Sequence, residues 1–399
     1  MKKLVLTFIL NIIASSIYCQ TNDSISIKLT KELEKIFSRG YINGFSVAIV
    51  NKDGTLYEKG FGYSDKQANK KYTAHTIQGI ASISKTFIGV ALLKAQELGK
   101  LKLDDPINQY LPFKVINPHF PNTPITIRQL ATHTSSIGYI YSTEKYDYIL
   151  KKKDNKGLKV KNVFRLPNEM ISLDLFLKRF LSKQGKWYKK KNFLKNKPGA
   201  TFKYSNINGG LAAFILEKAT GESFNEFTKT HIFKPLEMSN TGWFFNEVNF
   251  ENHSKLYTSK KDELAPYQGI NYPAGNLITS SSTLALYLSE LISGFSGNGT
   301  LLSNHSYQEF FKPQLTDENY EQRHKDVYSD QYNIGVFMGL SAQGQIGHTG
   351  GDHGVVTHMF FNTKTKVGKL IIVNTYPKKE GRKQFFDLWY TLEKYENKL

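Results

Sequence analysis

Cysteine is all but missing from this chain: Cys19 is the only one among 399 residues. No intrachain disulfide can form and no multi-thiolate metal site can be built. Long apolar runs are missing too. The apolar stretch nearest the start, residues 4–13, follows Lys2 and Lys3, is broken by Thr7 and Asn11, and is short for a bilayer. It reads as an export signal at residues 1–19, cleaved after Cys19, with a lipid-anchored Cys19 as the alternative; the large Tyr18 argues against the latter. The mature chain then has no cysteine nucleophile and no expected transmembrane segment, and its expected location is exported, periplasmic or extracellular.

Acidic residues are in short supply. Asp and Glu number 34 against 53 Lys and Arg, a formal charge of +19. Much of the excess lies between Lys145 and Lys197, in runs such as Lys151-Lys152-Lys153 and Lys189-Lys190-Lys191. Such a stretch reads either as a solvated, lysine-rich surface insertion over about 144–197 or as a surface drawn to anionic envelopes or acidic polymers. No helix-turn-helix, zinc-finger or RNA-recognition pattern accompanies the charge, so nucleic acid is not an expected partner. Repeats and low-complexity linkers are absent, and 40% hydrophobic with 22% charged residues is a globular composition.

Periodicity separates the chain into two textures. Near the start, a helical pattern over 26–37 precedes strand-like 45–50, an Asp53-Gly54 hairpin turn and a returning strand over 55–63. Near the end, 332–340, 354–362 and 369–374 read as strands and 383–396 as an amphipathic helix. Between them lie helical patterns over 82–98, 127–132, 173–181, 208–220, 223–232 and 283–293. The expected fold class is α/β (α+β): one antiparallel sheet made from both chain ends, flanked by helices, with a mostly helical insertion over about 82–325. Residues 20–399 are expected to form one domain.

Three short constellations carry chemistry. In Ser82-Ile83-Ser84-Lys85 a hydroxyl and an amine stand at i and i+3 on one helical face. A serine needs a nearby base to be a useful nucleophile, and a lysine serves if its pKa is lowered. The pattern is weak alone: Ser142-Thr143-Glu144-Lys145 matches it, and Ser82 could simply cap a helix. Context favours Ser82, which precedes an apolar helix, whereas Ser142 sits in polar sequence. The second constellation is Tyr204-Ser205-Asn206, offering a proton carrier and an amide; Tyr41 and Tyr395 open the same pattern. The third is His348-Thr349-Gly350-Gly351, between strand-like segments, where the glycines allow close backbone approach and Gly351 N–H can join Ser82 N–H as an oxyanion hole. His348, His353 and His358 invite thoughts of metal, but no H-E-x-x-H and no carboxylate cluster accompany them.

Together, in this order, the three motifs resemble the serine β-lactamase and penicillin-binding protein superfamily, in particular its class C branch of D,D-carboxypeptidases, class C β-lactamases and related esterases and aminopeptidases. Leu103-Asp104-Asp105-Pro106, Thr126-Ile127-Arg128-Gln129-Leu130, Thr132-His133-Thr134 and Pro273-Ala274-Gly275-Asn276-Leu277 strengthen it, and the likeness runs over about 45–375. The resemblance implies a three-layer sandwich, Ser82 as acylated nucleophile, Lys85 and Tyr204 as base and acid, and Asn206, His348, Thr349, Gly350 and Gly351 as substrate-binding positions. Ser82 and Gly351 would supply the oxyanion N–H groups, His133 would be structural, and neither cofactor nor metal would be needed. A small molecule or peptide is the implied substrate (ester, amide or D-amino-acid peptide), with peptidoglycan-derived fragments among the candidates. The alternatives are β-lactam hydrolysis, disfavoured by histidine rather than lysine at 348, and a non-catalytic envelope-binding protein on the same fold.

Overall fold

The computed structural model describes residues 24–138, 143–320 and 332–399. The expected export signal at 1–19 and the decoy Ser142 lie outside the described residues. Eight antiparallel strands form the main sheet, in the order Asn333–Ile334, Gly339–Ser341, Gln345–Asp352, Val355–Asn362, Gly368–Val373, Gly44–Asn51, Gly54–Asp65, Lys70–Lys71. Both chain ends supply it, meeting where Phe45 pairs Val373 and Ile49 pairs Lys369.

Strand alternation explains the layers. Phe45, Val47, Ile49, Ile371 and Val373 face one way, onto Leu29 and Leu33 of the 24–37 helix and Phe385, Leu388 and Leu392 of the Lys379–Tyr395 helix. Ala48, Val50, Leu370, Ile372 and Met359 face the other way, into a larger core with the Ser84–Glu97, Asn206–Thr220 and Ser281–Phe295 helices. Helices therefore cover both faces of an antiparallel sheet, and the central strands read as nearly unbroken apolar runs because both faces are buried.

Three expectations need correction. The 332–340 stretch is not one strand: Asn333–Ile334 and Gly339–Ser341 pair as a short hairpin, because Gly335 N–H turns back to Met338 O (2.8 Å) and Phe337 takes φ 56°. His348–Gly351 lies not between strands but inside one, Gln345–Asp352, paired along its length with Val355–Asn362. Its glycines hide the strand from any propensity argument. Third, residues 144–197 are not merely a surface insertion. The lysines of 152–153 and 189–191 are exposed, but Leu173, Phe176, Leu177, Phe180 and Phe193 enter the main core. Tyr148–Leu150 also pairs with Tyr267–Gly269. The segment is amphipathic in three dimensions, so lysine count concealed an apolar inner side.

Candidate active site

Ser82 occupies the middle of a 3-10 turn, Ala81–Ile83, that runs directly into the Ser84–Glu97 helix. Ala81 has φ 49°, a left-handed conformation costly for any residue with a Cβ. The surroundings impose it. Ser84 Oγ donates to Ala81 O (2.6 Å) and accepts from Leu277 N–H (3.1 Å), while Thr357 Oγ1 donates to Ile80 O (2.8 Å). The turn is thus held from the helical side and from the sheet.

One helical turn on, Lys85 is fully buried. Its Nζ donates to Ser82 Oγ (3.1 Å) and Ala274 O (2.5 Å) and lies 5.2 Å from the Tyr204 ring centroid. Burial presses the ammonium down to about 7, against the opposing pull of the Asp352 and Asp147 charges. The amine therefore exists in both protonation states near neutrality, within hydrogen-bonding distance of the serine it would deprotonate.

Tyr204 precedes the Asn206–Thr220 helix, in a loop that the 133–138 segment holds down. Lys203 N–H donates to His133 O (2.8 Å), Ser205 Oγ to Gly138 O (3.0 Å), and Ser135 Oγ to Asn208 Oδ1 (2.9 Å). His133 Nδ1 accepts from Asn208 Nδ2 (3.2 Å) and Ser205 N–H (3.4 Å), which puts the ring proton on Nε2. The His133 ring lies 4.5 Å from that of Tyr204, consistent with a supporting part. Burial raises the Tyr204 phenol pKa and Ser82 partly offsets it, although the two make no aligned hydrogen bond. Burial therefore keeps the phenol in its neutral, proton-bearing form. Asn206 Oδ1 is likewise buried without a hydrogen-bond partner among the described residues.

From the sheet, Gly350 packs against the Ala81–Ile83 turn so closely that a Cβ there would lie 2.5 Å from Ile80 O and 3.1 Å from Ala81 Cβ. Gly351, the next residue, faces open space. His348 Nδ1 donates to Thr349 O (2.5 Å), since a carbonyl can only accept, and leaves Nε2 with its lone pair. Burial, then the nearby Lys85 charge, lowers its pKa to about 4, so this imidazole is neutral. His358 points instead at Phe385 and Trp389 of the C-terminal helix, away from His348. Among the described residues no group of three or more potential ligands could hold a metal ion.

Ser82 and Gly351 border two cavities. The larger, about 430 Å³, is also lined by Tyr204, His348, Thr349 and Phe360. The smaller, about 40 Å³, is polar and lined by Asp147, Asn206, Asn271, Asn276 and Asp352. Most of this polar wall escaped the sequence reading. Asp147 comes from the lysine-rich segment and accepts Asn271 N–H (2.7 Å), and Asn271 Nδ2 in turn donates to Asn206 O (2.9 Å). Burial, opposed by Asn271 and reinforced by Asp352, pushes the Asp147 carboxyl up to about 7, and burial also raises Asp352. Nothing in the local sequence sets Asp147 apart from Glu144 and Asp154 on either side of it.

A family model described as Beta-lactamase matches residues 29–389. The chain belongs to that family. Protein flp of Staphylococcus aureus (strain MW2) is 31% identical over 232 residues, 58% of this chain and 40% of that protein. The match thus spans well under half the length of that curated relative. Among solved structures, the octameric penicillin-binding protein homologue from Pyrococcus abyssi superposes with a TM-score of 0.71 at 24% identity, over 92% of this chain and 76% of that one. The D-amino acid amidase from Ochrobactrum anthropi SV3 superposes with a TM-score of 0.65 at 18% identity, over 94% and 99%. At such identities these two establish the shared fold alone. Among the described residues no helix is long and apolar enough to cross a membrane.

Proposed function

We propose that this chain hydrolyses an ester, amide or D-amino-acid peptide through an acyl-enzyme on Ser82. One observation carries the reading: a fully buried lysine, poised near neutrality, donates to Ser82 Oγ at 3.1 Å. Neutral Lys85 takes the hydroxyl proton as Oγ attacks the carbonyl carbon. The developing oxyanion is held by Ser82 and Gly351 N–H. Tyr204 gives its proton to the leaving group and regains one from Lys85. Water then attacks the Ser82 ester, its proton passing back through the same pair, and Oγ–H is restored. Asn206 holds the acyl side, and His348 and Thr349 border the leaving group.

His348 bears on the substrate. A neutral imidazole offers no fixed positive charge to a carboxylate on the leaving group, as a lysine at this position would. That favours esters and amides with uncharged leaving groups over β-lactams. The resemblance and the N-terminal signal support an exported enzyme, with peptidoglycan-derived fragments among its substrates and the lysines of 144–197 in contact with anionic envelope surfaces.

The test is intact mass after incubation with a penicillin, with Ser82→Ala as the blank, followed by turnover of chromogenic esters. A Ser82 adduct places the nucleophile, and its lifetime separates trapping from β-lactam hydrolysis. Ester turnover by Ser82→Ala equal to that of the parent protein would overturn the proposal. A chain that neither takes an adduct nor turns over any ester would be the non-catalytic binding protein.

A further inference from the structure

We infer that a separate apolar cavity beside the nucleophile is an acyl-group pocket, and that the preferred acyl donor carries a bulky alkyl or aryl substituent. This rests on Ser82 as nucleophile and adds the substrate's acyl side. The cavity holds about 300 Å³; Trp243, Phe250, Leu256, Leu264, Ile278 and Val355 form its apolar walls, and Lys70, Glu251, His253 and Lys255 line it as well. Ala81, Gly275, Asn276 and Asp352 line both this cavity and the small polar one that contains Ser82, so the two adjoin.

Proton transfer fixes which end of the substrate faces it. The leaving group must receive its proton from Tyr204, so it lies in the cavity that Tyr204 and His348 line. The acyl substituent then points the opposite way, past Asn206 and Asn276, into the apolar space. The walls are built in advance. Trp243 is buried and its indole N–H donates to Thr228 Oγ1 (2.8 Å). The Lys151 ammonium sits 3.9 Å over the Phe250 ring. Leu264 belongs to a satellite core with Leu150 and Phe164 of the lysine-rich segment. A braced pocket of this size suits roughly a phenyl ring or a chain of about six to eight carbons.

The experiment compares p-nitrophenyl acetate, butyrate and octanoate on the full chain, with active enzyme counted by fluorophosphonate labelling. The expected kcat/KM ratio of octanoate to acetate is at least about tenfold, from burial of the added methylenes. Val355→Phe, which fills the pocket, lowers that ratio at least about fivefold; Phe250→Ala, at a partly exposed wall, lengthens the pocket, raises the kcat/KM ratio of p-nitrophenyl laurate to octanoate, and decides the matter if Val355→Phe does not fold. A ratio near one in an enzyme that hydrolyses acetate would overturn the pocket and leave the nucleophile standing. A length preference seen only in alkyl acetates would overturn the acyl assignment. Neither labelling nor ester turnover would overturn the nucleophile itself.

Discussion

Gly350→Ala is the most exacting test of how the sheet holds Ser82, the proposed nucleophile. The added methyl would lie 2.2 Å from Thr357 Oγ1, 2.5 Å from Ile80 O and 3.1 Å from Ala81 Cβ. A relaxed carbon–oxygen contact is about 3.3–3.6 Å, so the strand and the nucleophile turn must part by roughly 1 Å. Ile80 O is backbone and is already tied to Thr357 Oγ1 (2.8 Å), so it cannot swing aside as a side chain would. Overpacking of this kind costs about 1–3 kcal/mol of stability. Its kinetic effect is larger in proportion. An oxyanion hole shared by Ser82 and Gly351 tolerates about 0.5 Å of error, and a 1 Å misplacement costs on the order of 100-fold.

The control is the neighbouring glycine. A Cβ on Gly351 meets nothing within 4 Å, and the substitution keeps the N–H. Gly350→Ala is therefore expected to lose about 100-fold in kcat/KM on a chromogenic ester and to melt at a lower temperature; Gly351→Ala should keep its melting temperature and lose much less activity. Adding Thr357→Ala to Gly350→Ala removes the 2.2 Å contact and leaves the 2.5 Å one, so it should not restore activity. Parent-like activity and stability in Gly350→Ala, or full rescue by Thr357→Ala, would refute the argument that backbone contact sets the geometry.

Activity should rise with pH through about 7, as Lys85 loses its proton. Asp147→Asn removes a charge that favours the ammonium, so the rising limb should move to lower pH; a limb that vanishes instead would identify Asp147 as the titrating group. Ser82→Ala, Lys85→Ala and Tyr204→Phe should each cut turnover by orders of magnitude in steady-state assays, while Ser142→Ala should change little. Comparable losses at Ser142 and Ser82 would reverse the choice between the two matching motifs. Lys369 and Glu396 form a buried pair at 2.5 Å, with side chains 2% and 5% exposed. Lys369→Met should cost about 3–5 kcal/mol in urea unfolding, and replacing both partners with apolar residues should cost less.

The sequence made the sheet's central strands and the order of the three motifs legible because each carries a local signature: a strand period, a hairpin turn, an apolar helix behind Ser82. The polar wall had no such signature. Asp147, Asn271 and Asp352 meet Ser82 only through tertiary structure, each from a different element. Ala274 O binds Lys85 through the backbone, where side-chain identity says nothing. His348–Gly351 was legible as a motif but not as a strand, because residues chosen for close approach are poor strand formers.

The lysine-rich segment shows why surface charge and site construction must be tested separately. For a purely superficial segment, deleting 144–197 would be the natural test of an envelope-binding role. The structure changes the expected result. Deletion would remove Asp147 from the cavity it shares with Ser82, the strand paired with Tyr267–Gly269, and Phe176, Phe180 and Phe193 from the main core. Loss of activity would then report a broken site, whatever the lysines do. Charge reversal at exposed positions keeps the two apart. Lys152→Glu, Lys153→Glu, Lys190→Glu and Lys191→Glu alter side chains that face solvent. If these lysines hold the protein to an anionic surface, co-sedimentation with anionic vesicles should fall sharply and lose most of its salt dependence, while turnover of a neutral ester stays within about twofold. Unchanged vesicle binding would assign the lysines to solubility alone.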